Sequence, residues 1–136
     1  MNNIETSKIA HLGFIQGAIN RMSSNSFLLK GWTITIIAAL FALAAKDTKV
    51  EFIYIAYLPT FVFWMLDAYF LHYERLFRKL YNKIAVDTQC TNYSMSTKQI
   101  NEAPWKNLWI CFRSNTLLIF YLPLFFVLIF VHIKLL

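Results

Sequence analysis

The sequence predicts an all-α membrane protein, with three transmembrane helices and a helical cytoplasmic extension. Three observations lead there. The 136 residues are 58% hydrophobic and only 15% charged, whereas soluble domains run at roughly 45–50% and 25%. The apolar residues are gathered into three blocks, each near the roughly 20 residues that a helix needs to cross a bilayer core. The net charge of +6 is concentrated in residues 1–30 and 72–113, before or at the start of the first block and between the second and third. Together these features exclude a disordered chain, a disulfide-stapled secreted module and an ordinary water-soluble enzyme.

Residues 1–26 read as an N-terminal amphipathic helix on the cytoplasmic side. Leu12, Ile15, Ile19 and Met22 form a heptad-like stripe, and Ala10, Gly13 and Gly17 a small-residue edge. Lys8, His11, Gln16, Asn20 and Arg21 make this segment too polar to span a membrane. It is expected to pack on the extension of the later helices rather than lie flat on the bilayer. Ser23, Ser24, Asn25 and Ser26 mark a bend before the first span.

The first span, residues 28–45, holds Lys30 as its one charge. It begins too late for a secretory leader and lacks a small-residue cleavage pattern. Gly31, Ala38 and Ala42 offer small surfaces one or two turns apart, as Gly13 and Gly17 do further upstream. Such residues let two helix backbones approach closely, so these five are the expected helix-packing positions. In the link 46–51, Lys46 and Lys49 are balanced by Asp47 and Glu51.

The second span, residues 52–71, contains Asp67. No glycine or proline stops the helix there, and residues 72–85 continue it in amphipathic form. Leu76, Phe77, Leu80, Tyr81 and Ile84 recur at helical spacing, while Arg75, Arg78, Lys79 and Lys83 fill the other positions. Residues 72–103 are thus the cytoplasmic helix extension and its polar tip. The last element, residues 104–136, starts at Pro104, which suits a first helical turn. It is expected to run unbroken as an amphipathic helix into the third span, with Pro123 tolerated inside it.

Positive charge in loops sets orientation. Residues 72–113 carry seven basic and three acidic side chains, so this segment and the N-terminus are placed in the cytoplasm of a bacterial cell, as a multi-pass inner-membrane protein. Trp32, Trp64, Tyr69, Tyr73, Trp105 and Trp109 fall near the expected interfaces.

Asp67 is the most informative residue. A carboxylate in hydrocarbon costs roughly 2.5–3.5 kcal/mol even on the lenient insertion scale, so it needs a partner. In this orientation Lys30, Asp67 and Arg113, followed by Asn115, fall at similar depth and are expected to form one polar cluster. Its readings are a latch that fixes helix register and a gate or ion-binding point at a pore mouth. Arg75, Arg78, Lys79 and Lys83, interleaved with aromatics just beyond a span, suit anionic lipid headgroups or a protein partner better than nucleic acid.

No catalytic constellation is present: there is no HExxH, GxSxG or Walker A pattern, and His11, His72 and His132 are dispersed. Cys90 and Cys111 lack metal or redox spacing and read as free thiols. No enzyme activity, cofactor or metal is expected.

The runs FIQGAINRMSSNSFLLKGW, AALFALAAKD and FWMLDAYFLHYERLFRKLY resemble a family of small bacterial multi-span inner-membrane proteins of unassigned function, of the kind encoded near phage-defence genes. The resemblance covers roughly residues 10–85. It implies a polar core at Asn20–Arg21, Lys30–Gly31–Trp32, Asp67 and Glu74–Arg75, and a membrane-perturbing effector or its partner. One three-helix protomer leaves no solute path, so a transport role requires a homo-oligomer. The leading expectation is an oligomeric, channel-like or membrane-perturbing effector. The alternative is a membrane-docking or regulatory subunit for a soluble cytoplasmic protein.

Overall fold

Forty-five residues without a proline, from Asn3 to Asp47, form one uninterrupted helix, α1. A computed structural model describes residues 3–47, 51–87, 93–98, 100 and 103–135. In chain order α1 is followed by α2 (Glu51–Val86), α3 (Pro104–Phe112) and α4 (Asn115–Leu135). The stretches Glu5–Lys46, Glu51–Val86 and Asn115–Lys134 are long and apolar enough to cross a membrane.

The bend expected at residues 23–26 does not occur, because α1 passes straight through them. Serine and asparagine weaken a helix only by competing for backbone hydrogen bonds, and here the Ser26 hydroxyl is drawn away to Asp67 and Lys30. At 1.5 Å per residue α1 is therefore about 68 Å long, over twice the thickness of a bilayer core.

Continuity gives α1 two opposed faces. His11, Ile15, Ala18, Ile19, Thr33, Ile37 and Ala44 are buried. Gly13, Gly17, Gly31, Ala38 and Ala42 are all exposed. At 100° per residue these five small residues fall within about 60° of one another, roughly opposite the buried set. They do not pack α1 against the other helices of the protomer, contrary to the simplest use of small residues. A side chain added at Gly13, Gly17 or Gly31 would meet nothing within 4 Å.

α2 carries straight through from the apolar span into the amphipathic extension, with Pro59 inside it. It is the spine on which the rest packs, and three apolar clusters follow it from end to end. Ile15 and Ile19 of α1 meet Leu80 and Ile84, with Ile100 of the tip laid against them. Ile37, Ala56 and Leu128 join α1, α2 and α4 near the opposite end. Ala68, Leu117 and Tyr121 join α2 and α4 between them, under Trp64 and Phe112. The N-terminal part of α1 thus lies on the extension of α2. Lys8 completes this contact by donating to the carbonyls of Ala85, at 3.1 Å, and Asp87, at 2.7 Å. A cation at a helix C-terminus also complements the helix dipole.

The helix expected to run from Pro104 into the third span is broken at residues 113–114. The carbonyl of Phe112, which a continuing helix would give to residue 116, accepts instead from Trp64 Nε1 at 3.2 Å. Ser114 N–H closes a tight turn on Cys111 O at 2.9 Å, and the Ser114 carbonyl accepts the N–H groups of Leu117 and Leu118 to start α4. Arg75 donates to Ser114 Oγ at 2.8 Å. Two side chains of α2 therefore hold the corner, and local sequence contains no glycine or proline that would announce it. Trp64 is also the centre of an aromatic stack, 4.3 Å from Phe112 and 5.6 Å from Tyr121 between ring centres.

Freed from α4, α3 is a short amphipathic helix laid against α2. Trp105, Leu108, Trp109 and Phe112 recur at helical spacing and, with Phe61 and Met65, line an open apolar cavity of about 220 Å³. Asn107, Ile110 and Cys111 face a second cavity of about 260 Å³, lined on α2 by His72, Arg75, Leu76 and Lys79.

Candidate functional site

The polar cluster forms, with a membership different from the one expected. Lys30 Nζ lies 2.5 Å from Asp67 Oδ2. Asp67 is fully buried, and the Lys30 side chain is 21% exposed. Ser26 Oγ donates to the other carboxylate oxygen of Asp67 and accepts from Lys30 at 2.9 Å. Ser26 and Lys30 are one turn apart on α1, so the continuous helix alone brings both to α2. The Lys30 ammonium also stands 5.9 Å from the centre of the Phe120 ring on α4. Buried Tyr121 places its hydroxyl beside Asp67 and Thr33 without a well-formed hydrogen bond to either. α1 and α2 are thereby tied by a single carboxylate, with Phe120 and Tyr121 of α4 packed beside the pair.

Arg113 and Asn115 do not take part. Both are exposed, and Arg113 caps the end of α3, its backbone N–H donating to Trp109 O at 3.1 Å. The corner at residues 113–114 turns these side chains away from Asp67. The second contact to the Asp67 carboxylate comes instead from Ser26 of α1. The i, i+4 spacing of Ser26 and Lys30 was the available signal.

At the other end of the bundle, His132 meets Tyr54, 3.2 Å from its hydroxyl, and Tyr57 at 3.5 Å. This set is small and partly exposed, and it joins α2 to the end of α4.

The four basic residues of the extension have separate fates. Arg78 pairs with Glu74 one turn away at 2.9 Å, an exposed contact of the kind worth a few tenths of a kcal/mol. Lys79 and Lys83 are both exposed, and Lys83 does not line the cavity under α3. Arg75 and Lys79 line the cavity under α3, together with His72 and Asn107, which the charge pattern did not single out. Arg75 also reaches Cys111 Sγ at 3.6 Å. Burial raises the thiol pKa of Cys111 above its usual value, and Arg75 only partly opposes this, so Cys111 is held as an unreactive thiol. Cys90 lies outside the described residues.

His72 is 5% exposed. Burial lowers its pKa below 6.5, and Lys79 and then Arg75 push in the same direction. The folded protein therefore favours neutral His72, while the unfolded chain takes up a proton first as the pH falls. Stability from this source is complete above pH 6.5 and declines as the pH drops through 6.5 towards the depressed folded value. His72→Gln should remove that component. The check is the unfolding midpoint from pH 7.5 to 5 in detergent, which should fall less steeply for the variant than for the parent.

Among the described residues no group of three or more His, Cys, Asp or Glu side chains converges on a point where a metal ion would sit. Compared with protein families, with curated proteins and with solved structures, the chain has no match in any of the three. What the fold itself defines is an all-helical protein with three potential membrane-crossing helices, a buried ion pair across two of them and a basic cavity between α2 and α3.

Proposed function

We propose that the protein is a non-enzymatic, multi-pass protein of a bacterial inner membrane that assembles with copies of itself into a channel-like or membrane-perturbing effector. The observation that carries this reading is the outward face of α1. Thr6, Ala10, Gly13, Gly17, Asn20, Ser24, Gly31, Thr35, Ala38 and Ala42 share that face and are all exposed, with the larger, exposed Leu28 between Ser24 and Gly31. From Thr6 to Ala42 the stripe is about 54 Å long at 1.5 Å per residue. Small residues suit close helix–helix contact in lipid, where packing and not water exclusion drives association. The hydroxyl and amide groups among them tolerate water, which an apolar lipid-facing helix would not offer. A closed ring of such helices encloses either a tight contact or a narrow wet path. The basic balance of residues 72–113 supports a cytoplasmic N-terminus.

The test is expression of the protein in cells carrying a potential-sensitive dye. Depolarisation that scales with the amount of protein in the membrane is the expected result, altered by Asp67→Asn. An unchanged potential with the protein present in the membrane, under every trigger applied, overturns the channel-like reading and favours a docking subunit.

A further inference from the structure

We propose that the cavity between α2 and α3, lined by His72, Arg75, Lys79 and Asn107, binds the phosphate of an anionic lipid headgroup. The argument starts from charge. The α2 carboxylates Asp67 and Glu74 are each taken, by Lys30 and Arg78. Arg75 and Lys79 have no carboxylate partner among the described residues. Arg75 is half-buried, and its hydrogen bonds go to neutral Ser114 and Cys111. A partly buried cation without a counter-charge is a standing electrostatic cost that a bound anion relieves.

Hydrogen bonding points to the same place. His72 is 95% buried yet makes no hydrogen bond among the described residues, and its ring lines the cavity. Asn107 brings an amide from α3 to the opposite wall. Guanidinium, ammonium, imidazole and amide donors around one space of about 260 Å³ match the several acceptor oxygens of a phosphate group.

The surroundings decide between a lipid and a soluble phosphate. His72 is the first residue beyond the apolar run 52–71 of α2, so the cavity sits at headgroup level if that run crosses the bilayer. Trp105 and Trp109, 78% and 65% exposed on α3, are residues that settle at that level. On the other face of α3, Phe61, Met65, Leu108 and Phe112 line an apolar cavity. Anionic head and apolar body are thus catered for on the two sides of one short helix. The breaking of α3 from α4 creates both sides, and Arg75 helps to hold that break. The proposal rests on membrane insertion but not on self-assembly.

The full chain, purified in a neutral detergent, is offered phosphatidylglycerol or phosphatidylcholine, and bound lipid is counted by native mass spectrometry. Preferential retention of phosphatidylglycerol is expected. Lys79→Gln should weaken it about 5-fold, the usual effect of one basic residue near an anionic lipid surface. Lys83→Gln removes the same charge one turn further along α2 but lies off the cavity, and it should leave retention unchanged. Asn107→Ala changes no charge and should also weaken retention. Equal retention of the two lipids, or equal loss in Lys79→Gln and Lys83→Gln, overturns the proposal in favour of diffuse surface attraction. Displacement of phosphatidylglycerol by inorganic phosphate alone overturns the lipid as the source. The channel-like reading stands or falls separately, since lipid counting does not read membrane potential.

Discussion

Gly31→Leu is expected to break self-association while leaving the protomer folded. A side chain at this position meets nothing within 4 Å in the protomer, and leucine favours the helix over glycine by up to about 1 kcal/mol. Thermal stability in detergent should therefore hold or rise. Between two α1 helices in close contact, the same side chain forces the backbones apart. Overpacking costs about 1–3 kcal/mol per site, or about 5- to 150-fold in association. The particle mass in lipid nanodiscs should fall towards that of one 16.0 kDa chain. Ala38→Leu, seven residues on, should behave alike because it occupies the same face. A parent protein that is itself monomeric, or a Gly31→Leu particle of unchanged mass, overturns the assembly.

Lys30→Met is expected to be the most destabilising single change in the bundle. It leaves fully buried Asp67 with Ser26 as its remaining hydrogen-bond partner, and removal of one partner from a buried ion pair costs about 3–5 kcal/mol. Asp67→Asn should cost less. Its amide keeps a hydrogen bond to Ser26, and Lys30, already partly exposed, can extend its ammonium to the headgroup region. The double variant should recover part of the Lys30→Met loss, since neither charge is then stranded. Denaturant unfolding in mixed micelles gives the order directly. Equal effects from the two single changes would mean that the pair is solvated and holds nothing together.

These two predictions draw on different amounts of sequence information. The pairing of Lys30 with Asp67 was legible, because an isolated acid and an isolated base each lay within a few residues of an apolar run's end. Desolvation in such a place leaves few alternatives to pairing. Arg113 met the same criterion of position along the chain and still fails to join. Its direction depends on the turn at residues 113–114, which Trp64 and Arg75 impose from another helix. The outward direction of the small residues depended in turn on residues 23–26 being helical. Once the helix is continuous, Gly13 and Gly31 stand eighteen residues apart, a whole number of turns at 3.6 residues per turn. With a bend between them, that alignment has no meaning. Nothing in the spacing of His72 or Asn107 along the chain marks either as a site residue. Their role arises only from a cavity whose walls lie thirty-five residues apart in the chain.

The amino-acid sequence by itself determined the helical class, the three apolar lengths, the need of Asp67 for a partner and the amphipathic continuation beyond the second span. Each follows from local composition and periodicity, which solvent transfer and helix geometry act on directly. Tertiary structure alone decided where α3 parts from α4, which face of α1 is left free and which basic residues share a cavity. Those outcomes hang on contacts between distant segments, and side chains such as Trp64 and Arg75 there compete successfully for backbone and hydroxyl groups that local sequence would have kept within one helix.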